Sequence, residues 1–285
     1  MIVVLGATGH TGSVVAETVL ERKQPVRVVV RSADKGAVWA AKGAEVAVAS
    51  LDDQAALTKA LRGASGAYLL IPPNYGATSW LAEQRRRIDR IAEAVKASEV
   101  AHGVLLSSIG GHLAEGTGPI RASRYGEQTL TSVARNVTIL RPGYFMDNWA
   151  SGIGIAKKTG LLPSFIPSQM KMPMIFTRDI GRVAADRLIA AGVGHAIVEL
   201  AGPEEYSPEQ VATALGGILG QAVAVQAAPL SAVVPTFTSF GFSAEAAGLF
   251  EEMYASFSKS AVGYERPKSL VRGTFSLAEA LREMV

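Results

Sequence analysis

Residues 6 to 12 read Gly6-Ala7-Thr8-Gly9-His10-Thr11-Gly12, a glycine turn of the kind that cradles phosphates. Gly6 permits a tight turn, Gly9 lets the backbone approach a pyrophosphate, and Gly12 lets the next helix pack close to its sheet. The exposed N–H groups and the dipole of that helix start favour an anion. A second chemical signal stands one strand later. NAD sites place an acid at the end of the second strand, where it accepts from the ribose 2′-hydroxyl. Here Val28-Val29-Val30 ends in Arg31, with Ser32 next and Lys35 one turn on. A carboxylate would repel a 2′-phosphate, whereas a guanidinium can hold it in paired hydrogen bonds and stack on the adenine. The expectation is an NADP(H) site. Asp34 reads as a helix starter. Asp52, after the third strand, reads equally as a partner for the adenine amino group or as a plain helix cap.

Other chemistries find no residues to carry them. There is no cysteine, which removes disulfides, thiol nucleophiles and cysteine-ligated metals. The histidines at 10, 102, 112 and 195 have no metal-ligand spacing, and no Gly-x-Ser-x-Gly occurs. No metal site is expected. The formal charge is only +3, and the longest basic run, Arg85-Arg86-Arg87, reads as a solvated helix face, so no nucleic-acid partner is expected. The chain starts directly into Ile2-Val3-Val4-Leu5 without a basic leader, and no stretch approaches the ~20 apolar residues of a membrane span. The reading is a soluble cytoplasmic protein with no membrane partner.

The elements that must position these residues follow from the hydrophobic pattern. With 285 residues, 48% hydrophobic and 19% charged, the chain can bury a large core. Ile2–Leu5, Val26–Val30, Glu45–Val48, Ala67–Ile71, Gly103–Leu106 and Val137–Leu140 read as strands. Between them lie helices: one with Val14, Val15, Thr18 and Val19 on a face; Ala33–Lys42, stopped by Gly43; a segment from Asp52 to Leu61; a long one with Leu81, Ile88, Ile91 and Val95 on a face; and Tyr125–Val133. Strands alternating with helices at this spacing mean right-handed βαβ units and a parallel sheet. The fold class is α/β, a Rossmann-like doubly wound parallel sheet with a smaller C-terminal substrate-binding part. Residues 1–148 would form the NADP-binding domain and residues 149–285 a mostly helical substrate or lid part. Within the latter, residues 177–200 would return to the sheet, and Ser207-Pro208 starts a helix. The aromatic segment 230–262 reads as core and lid packing or as substrate contact. The face of Leu81, Ile88, Ile91 and Val95 could pair two subunits or pack on the sheet, so a homodimer is one expectation.

Taken together, several pieces resemble the NmrA-like group of the atypical short-chain dehydrogenase/reductase superfamily. They are the Gly-Ala-Thr-Gly-x-x-Gly turn, Arg31, Leu70-Ile71-Pro72-Pro73-Asn74, Leu106-Ser107-Ser108 and Leu140-Arg141-Pro142-Gly143-Tyr144-Phe145-Met146-Asp147-Asn148. Thr177-Arg178-Asp179-Ile180-Gly181 and Leu200-Ala201-Gly202-Pro203-Glu204 agree, and the match spans residues 1 to 225. That group includes NADPH-dependent quinone reductases, triphenylmethane dye reductases, isoflavone-type reductases and redox-sensing regulators. The resemblance implies that Gly6, Thr8, Gly9, His10, Thr11, Gly12 and Arg31 bind the cofactor. It implies that Ile71 and Pro72 lie along the ribose, Ser107 near the nicotinamide ribose, and Gly143, Tyr144 and Phe145 beside the nicotinamide.

Typical members of the superfamily use Tyr-x-x-x-Lys, in which the lysine lowers the tyrosine pKa for proton exchange with the substrate. Only Tyr264 has a lysine four residues on, Lys268, and Pro267 between them prevents one helix face from presenting both. Counting back from Glu127 puts the lysine at Ser123 or Arg124 and the tyrosine at Pro119 or Ile120, so the dyad is missing. Tyr125 is a weak substitute donor. Reduction without the dyad suits a quinone or cationic dye, which accepts hydride readily and needs mainly to be positioned. The leading expectation is an NADPH-dependent reductase of an electron-poor acceptor, a quinone first, with Tyr75, Tyr144, Phe145 and Trp149 as an aromatic pocket. The alternatives are a non-catalytic NADP(H) redox sensor acting through a protein partner and, last, a sugar-nucleotide epimerase relative.

Overall fold

A computed structural model of the chain describes every residue from Met1 to Val285. The first half runs β1 (Ile2–Leu5), α1 (His10–Glu21), β2 (Val26–Val30), α2 (Ala33–Ala41), β3 (Glu45–Val48), α3 (Gln54–Leu61), β4 (Gly66–Leu69), α4 (Trp80–Ser98), β5 (Gly103–Leu106), α5 (Ile120–Val133) and β6 (Val137–Pro142). There follow β7 (Tyr144–Phe145), a 3-10 turn over Met146–Trp149, α6 (Ala150–Thr159), β8 (Leu161–Ser164), β9 (Met172–Ile175), α7 (Thr177–Ala190) and β10 (His195–Ala201). The rest comprises β11 (Glu205–Tyr206), α8 (Pro208–Leu219), β12 (Ala224–Ala227), α9 (Val233–Ser239), α10 (Ala244–Ser258), β13 (Val271–Arg272) and α11 (Leu277–Met284).

Eight strands form one sheet in the order β13-β10-β6-β5-β4-β1-β2-β3. Every pairing in it is parallel. Parallel strands need both faces covered, and the residues of β1 and β2 show why the runs are apolar throughout. Ile2, Val4, Val28 and Val30 point into a core shared with α1 and α7, while Val3, Leu5 and Val29 point into one shared with α3, α4 and α5. Each fully buried aliphatic side chain contributes about 1.5–3 kcal/mol. The strand order reverses direction between β1 and β4, and a sheet of this kind offers its ligand crevice at that point, beyond the carboxyl ends of the strands.

A third core joins α6, α8, α10, α11 and the small sheets β11-β9-β7 and β12-β8. The main sheet reaches into this second half through α7, β10 and β13; β13 adds parallel to β10 and was not anticipated, because two residues carry no periodicity. Two boundaries differ from the sequence reading. Helix α3 is capped by Asp53, whose carboxylate accepts from the Ala56 N–H at 2.9 Å, and not by Asp52. Helix α5 starts at Ile120, five residues before Tyr125, with Pro119 fixing its entry. Ser207 and Gln210 close a capping box around Pro208, as Ser207-Pro208 implied. Ile88, Ile91 and Val95 of α4 are buried within the chain, so sheet and helix packing accounts for their spacing. No helix is long and apolar enough to cross a membrane.

Candidate active site

A cleft of about 960 Å³ lies over the carboxyl ends of β1 to β5. Its first wall is the glycine turn. Gly6 has φ +67°, and a Cβ there would stand 2.7 Å from the Leu70 side chain. The Gly9 N–H closes the turn on the Gly6 carbonyl at 2.9 Å, and Gly9 is the N-cap of α1 with no capping side chain. The helix start therefore keeps N–H groups free to meet an anion. Gly6, Thr8, Gly9, His10 and Thr11 line the cleft. Gly12 does not; a Cβ on it would collide with the Gly6 carbonyl, so its glycine is required for the helix to sit on the turn. The fully buried Tyr68 donates to Thr11 Oγ1 at 2.9 Å, tying the turn to β4.

Arg31 and Lys35 line the adjoining end of the cleft, both exposed and neither in an ion pair. After β3, Asp52 also lines the cleft, paired with Arg90 at 3.0 Å and Arg87 at 3.4 Å. Arg87 is not a solvated face, as its place in the basic run suggested. Its side chain is only 13% exposed, and it also binds Glu83 at 3.2 Å and the Pro72 carbonyl at 3.1 Å. It thus joins the ends of β3 and β4, and the Asp52 charge is compensated where a second anion would approach.

The loop after β4 brings Ile71, Pro72 and Tyr75 to the cleft. The Tyr75 ring stacks on Phe242 (centroids 4.4 Å, 12°) and on Trp80 (5.8 Å, 17°), with Phe250 edge-on at 5.2 Å. Burial, aided by the neighbouring Tyr254, pushes the Tyr75 phenol up to about 12, so it is neutral near pH 7. Phe145, Asp147 and Asn148 close the far side. Asp147 accepts from the Thr177 N–H at 3.1 Å and its hydroxyl at 2.6 Å, holding the start of α7, and His10 Nδ1 lies 3.8 Å from the same carboxylate.

Ser107 lines the cleft at the end of β5. Behind it, Arg141 grips Glu127 with two bonds, 2.9 and 2.7 Å, in a pair whose side chains are 5% and 7% exposed. The signal for this pair was Arg141 itself, a lone cation closing the apolar run Val137 to Leu140.

Several expected residues lie elsewhere. Tyr125 faces away from the cleft; its hydroxyl donates to Asp89 at 2.8 Å and its ring lies under Arg85. The cleft-facing positions of α5 and its cap are Pro119, Ile120, Ala122 and Ser123, so no tyrosine or lysine of that helix lines it. Tyr144 points to the other side of β7, into a second cavity of about 280 Å³ with Met172, Phe257 and Tyr264, while its neighbour Phe145 takes the cleft. Gly143 is glycine because a Cβ would meet the Pro173 carbonyl at 2.6 Å and the Tyr264 hydroxyl at 2.7 Å. Trp149 is 5% exposed and packs in the third core. Of residues 230–257, Phe242 and Phe250 back the Tyr75 wall without lining the cleft.

Comparison with known proteins agrees with this architecture. An NAD(P)H azoreductase from Xenophilus azovorans is 27% identical over 259 residues, covering 90% of this chain and 86% of the relative. Quinone oxidoreductase 2 of Escherichia coli is 27% identical over 231 residues, covering 79% and 77%. The crystal structure of an NADPH-dependent quinone oxidoreductase from Escherichia coli complexed with NADPH superposes with a TM-score of 0.83 at 24% identity, covering 100% of this chain and 99% of that one. The model of the NmrA-like family matches residues 1–267, and the chain belongs to that family.

Proposed function

We propose that the protein is an NADPH-dependent reductase that delivers hydride to an electron-poor acceptor, with a quinone as the leading substrate class. The observation that carries this reading is the make-up of one cleft. Phosphate-binding backbone and two unpaired cations stand at one end, an aromatic wall at the other, and no tyrosine or lysine of α5 between them. The relatives named above, an azoreductase and quinone oxidoreductases, support a reductase over a non-catalytic sensor.

The residues present fit a phosphorylated dinucleotide. Backbone of Gly6 and Gly9 lines the cleft, the α1 N-terminus has no capping side chain, and Arg31 and Lys35 offer unspent positive charge. Bound there, NADPH supplies the hydride, and solvent supplies the proton that completes a two-electron reduction of a quinone to a hydroquinone. What the chain contributes is placement. The turn and Thr8 to Thr11 hold the pyrophosphate, and Arg31 with Lys35 select the 2′-phosphate. Asp52, Arg87 and Pro72 frame the adenosine, and Ile71 and Ser107 line the path to the acceptor. Tyr75, stacked between Trp80 and Phe242, presents its edge to the cleft as part of the aromatic wall beside which a planar acceptor rests, and Phe145 lines the same cleft. An acceptor that is already a strong electrophile needs no positioned acid, which matches the α5 face. Residues 1–148 form the cofactor side in this reading, and residues 149–285 complete the acceptor side.

The test is NADPH oxidation followed at 340 nm with a panel of quinones, azo compounds and cationic dyes. Turnover is expected, fastest with quinones, and faster with NADPH than NADH. Tight NADPH binding with no oxidation by any acceptor would overturn the reductase reading.

A further inference from the structure

Ser107, at the end of β5, is a cleft hydroxyl whose orientation is dictated from behind. Its Oγ lies 2.5 Å from Glu127 Oε1. That oxygen also accepts from Arg141 Nε at 2.9 Å, and Oε2 accepts from Arg141 Nη2 at 2.7 Å. The third guanidinium nitrogen, Nη1, binds Glu265 at 2.6 Å. Glu265 is fixed in turn, because Glu199 accepts from the Glu265 and Arg266 N–H groups at 2.8 and 2.7 Å, and the Tyr264 hydroxyl donates to the Leu200 carbonyl at 2.6 Å. Arg141 therefore cannot turn without breaking bonds to two carboxylates.

A carboxylate facing a bidentate guanidinium is an acceptor on both oxygens. The proton between Ser107 and Glu127 must then come from the serine. A hydroxyl has one proton and two lone pairs, so once the proton is committed only lone pairs remain for the cleft. We infer that Ser107 acts toward the cleft only as a hydrogen-bond acceptor, taking a bond from a ribose hydroxyl of the bound dinucleotide, and that Glu127 and Arg141 are positioning residues which set this polarity. Ser107 is thereby excluded as the proton donor to the acceptor substrate. This rests on the NADP(H) reading of the cleft.

The experiment is a fluorescence titration of NADPH into wild type, Ser107→Ala, Glu127→Gln and the double variant, with KM for NADPH and kcat measured on each. Ser107→Ala loses one neutral hydrogen bond, so Kd should rise about three- to tenfold and KM with it, with a smaller change in kcat. Glu127→Gln removes the charge and one acceptor atom, so the serine proton is no longer forced toward it, and Kd should rise by a similar factor. In the Ser107→Ala background the same Glu127→Gln change should leave Kd within about twofold, whereas a general loosening of the fold would add to the first loss. If wild type does not bind NADPH, the cofactor reading falls and takes this inference with it. If wild type binds but Ser107→Ala leaves Kd unchanged while kcat collapses, Ser107 is a donor and this inference alone is overturned. Should Glu127→Gln fail to fold, the Ser107→Ala split between Kd and kcat decides the matter by itself.

Discussion

The two ends of the cleft are built by opposite means. The phosphate end is local and made of backbone: one turn from Gly6 to Gly12, the start of α1, and a cation at the end of β2. The proposed acceptor end is non-local and made of side chains: Tyr75, Trp80 and Phe145 line the cleft there, and Phe242 and Phe250 back it from the far end of the chain. Backbone geometry tolerates almost no substitution, because the requirement is space and φ. A wall of stacked rings tolerates exchange of its members, because each contributes area and only about 0.5–1.5 kcal/mol of specific geometry.

The largest effect is expected at the local end. Gly12→Val puts branched carbons against the Gly6 carbonyl, which cannot yield without opening the turn. Overpacking against backbone should cost more than about 2 kcal/mol of stability by denaturant melt and abolish NADPH binding. A stable variant with normal binding would show that the turn is softer than its geometry. At the non-local end, Tyr75→Ala should raise KM for planar acceptors about threefold to tenfold and leave NADPH Kd within about twofold. Equal losses for cofactor and acceptor would dissolve the distinction between the two ends.

Alkaline pH sharpens the same contrast. Burial raises Tyr75 and Tyr254 from 10.0 to about 12 in the fold, so the unfolded chain releases these protons first. Their contribution to stability is complete below pH 10 and is lost as pH rises toward 12, so a loss of thermal stability should begin above pH 10. Between pH 6 and 9 neither phenol titrates, and a change of acceptor KM over that range would require another group. The smallest effect is expected at Tyr125. Tyr125→Phe removes an exposed bond to Asp89 and should shift stability by no more than about 0.5 kcal/mol, with turnover unchanged. A tenfold loss of turnover would restore it as a donor.

The same division explains what could be read in the sequence. Strands β1 to β6 and helices α1 to α4 were legible because parallel strands covered on both faces leave continuous β-branched runs, and because glycines mark the turns between them. At Tyr144 and Phe145 the choice of which ring enters the cleft depends on the parallel pairing of β7 with β9, thirty residues on, which no local pattern records. Trp149 looked like a site residue by neighbourhood, yet the 3-10 turn over Met146–Trp149 carries it into the third core. Asp52 and Asp53 differ by one position, and only the direction of the chain after β3 decides that Asp53 caps while Asp52 pairs with Arg87 and Arg90. The Glu127–Arg141 pair spans a helix and a strand; its trace in the sequence was a single charge in an apolar run.

In this reading Arg31 makes the choice of NADP(H) at the local end of the cleft. Parallel titrations of NADPH and NADH into wild type and Arg31→Ala decide whether it does. Wild type should prefer NADPH, and the substitution should remove most of that preference, about 1.5–3 kcal/mol for a charge-assisted bond, by weakening NADPH and sparing NADH. An unchanged preference in Arg31→Ala, or a wild type that binds both cofactors equally, would contradict it.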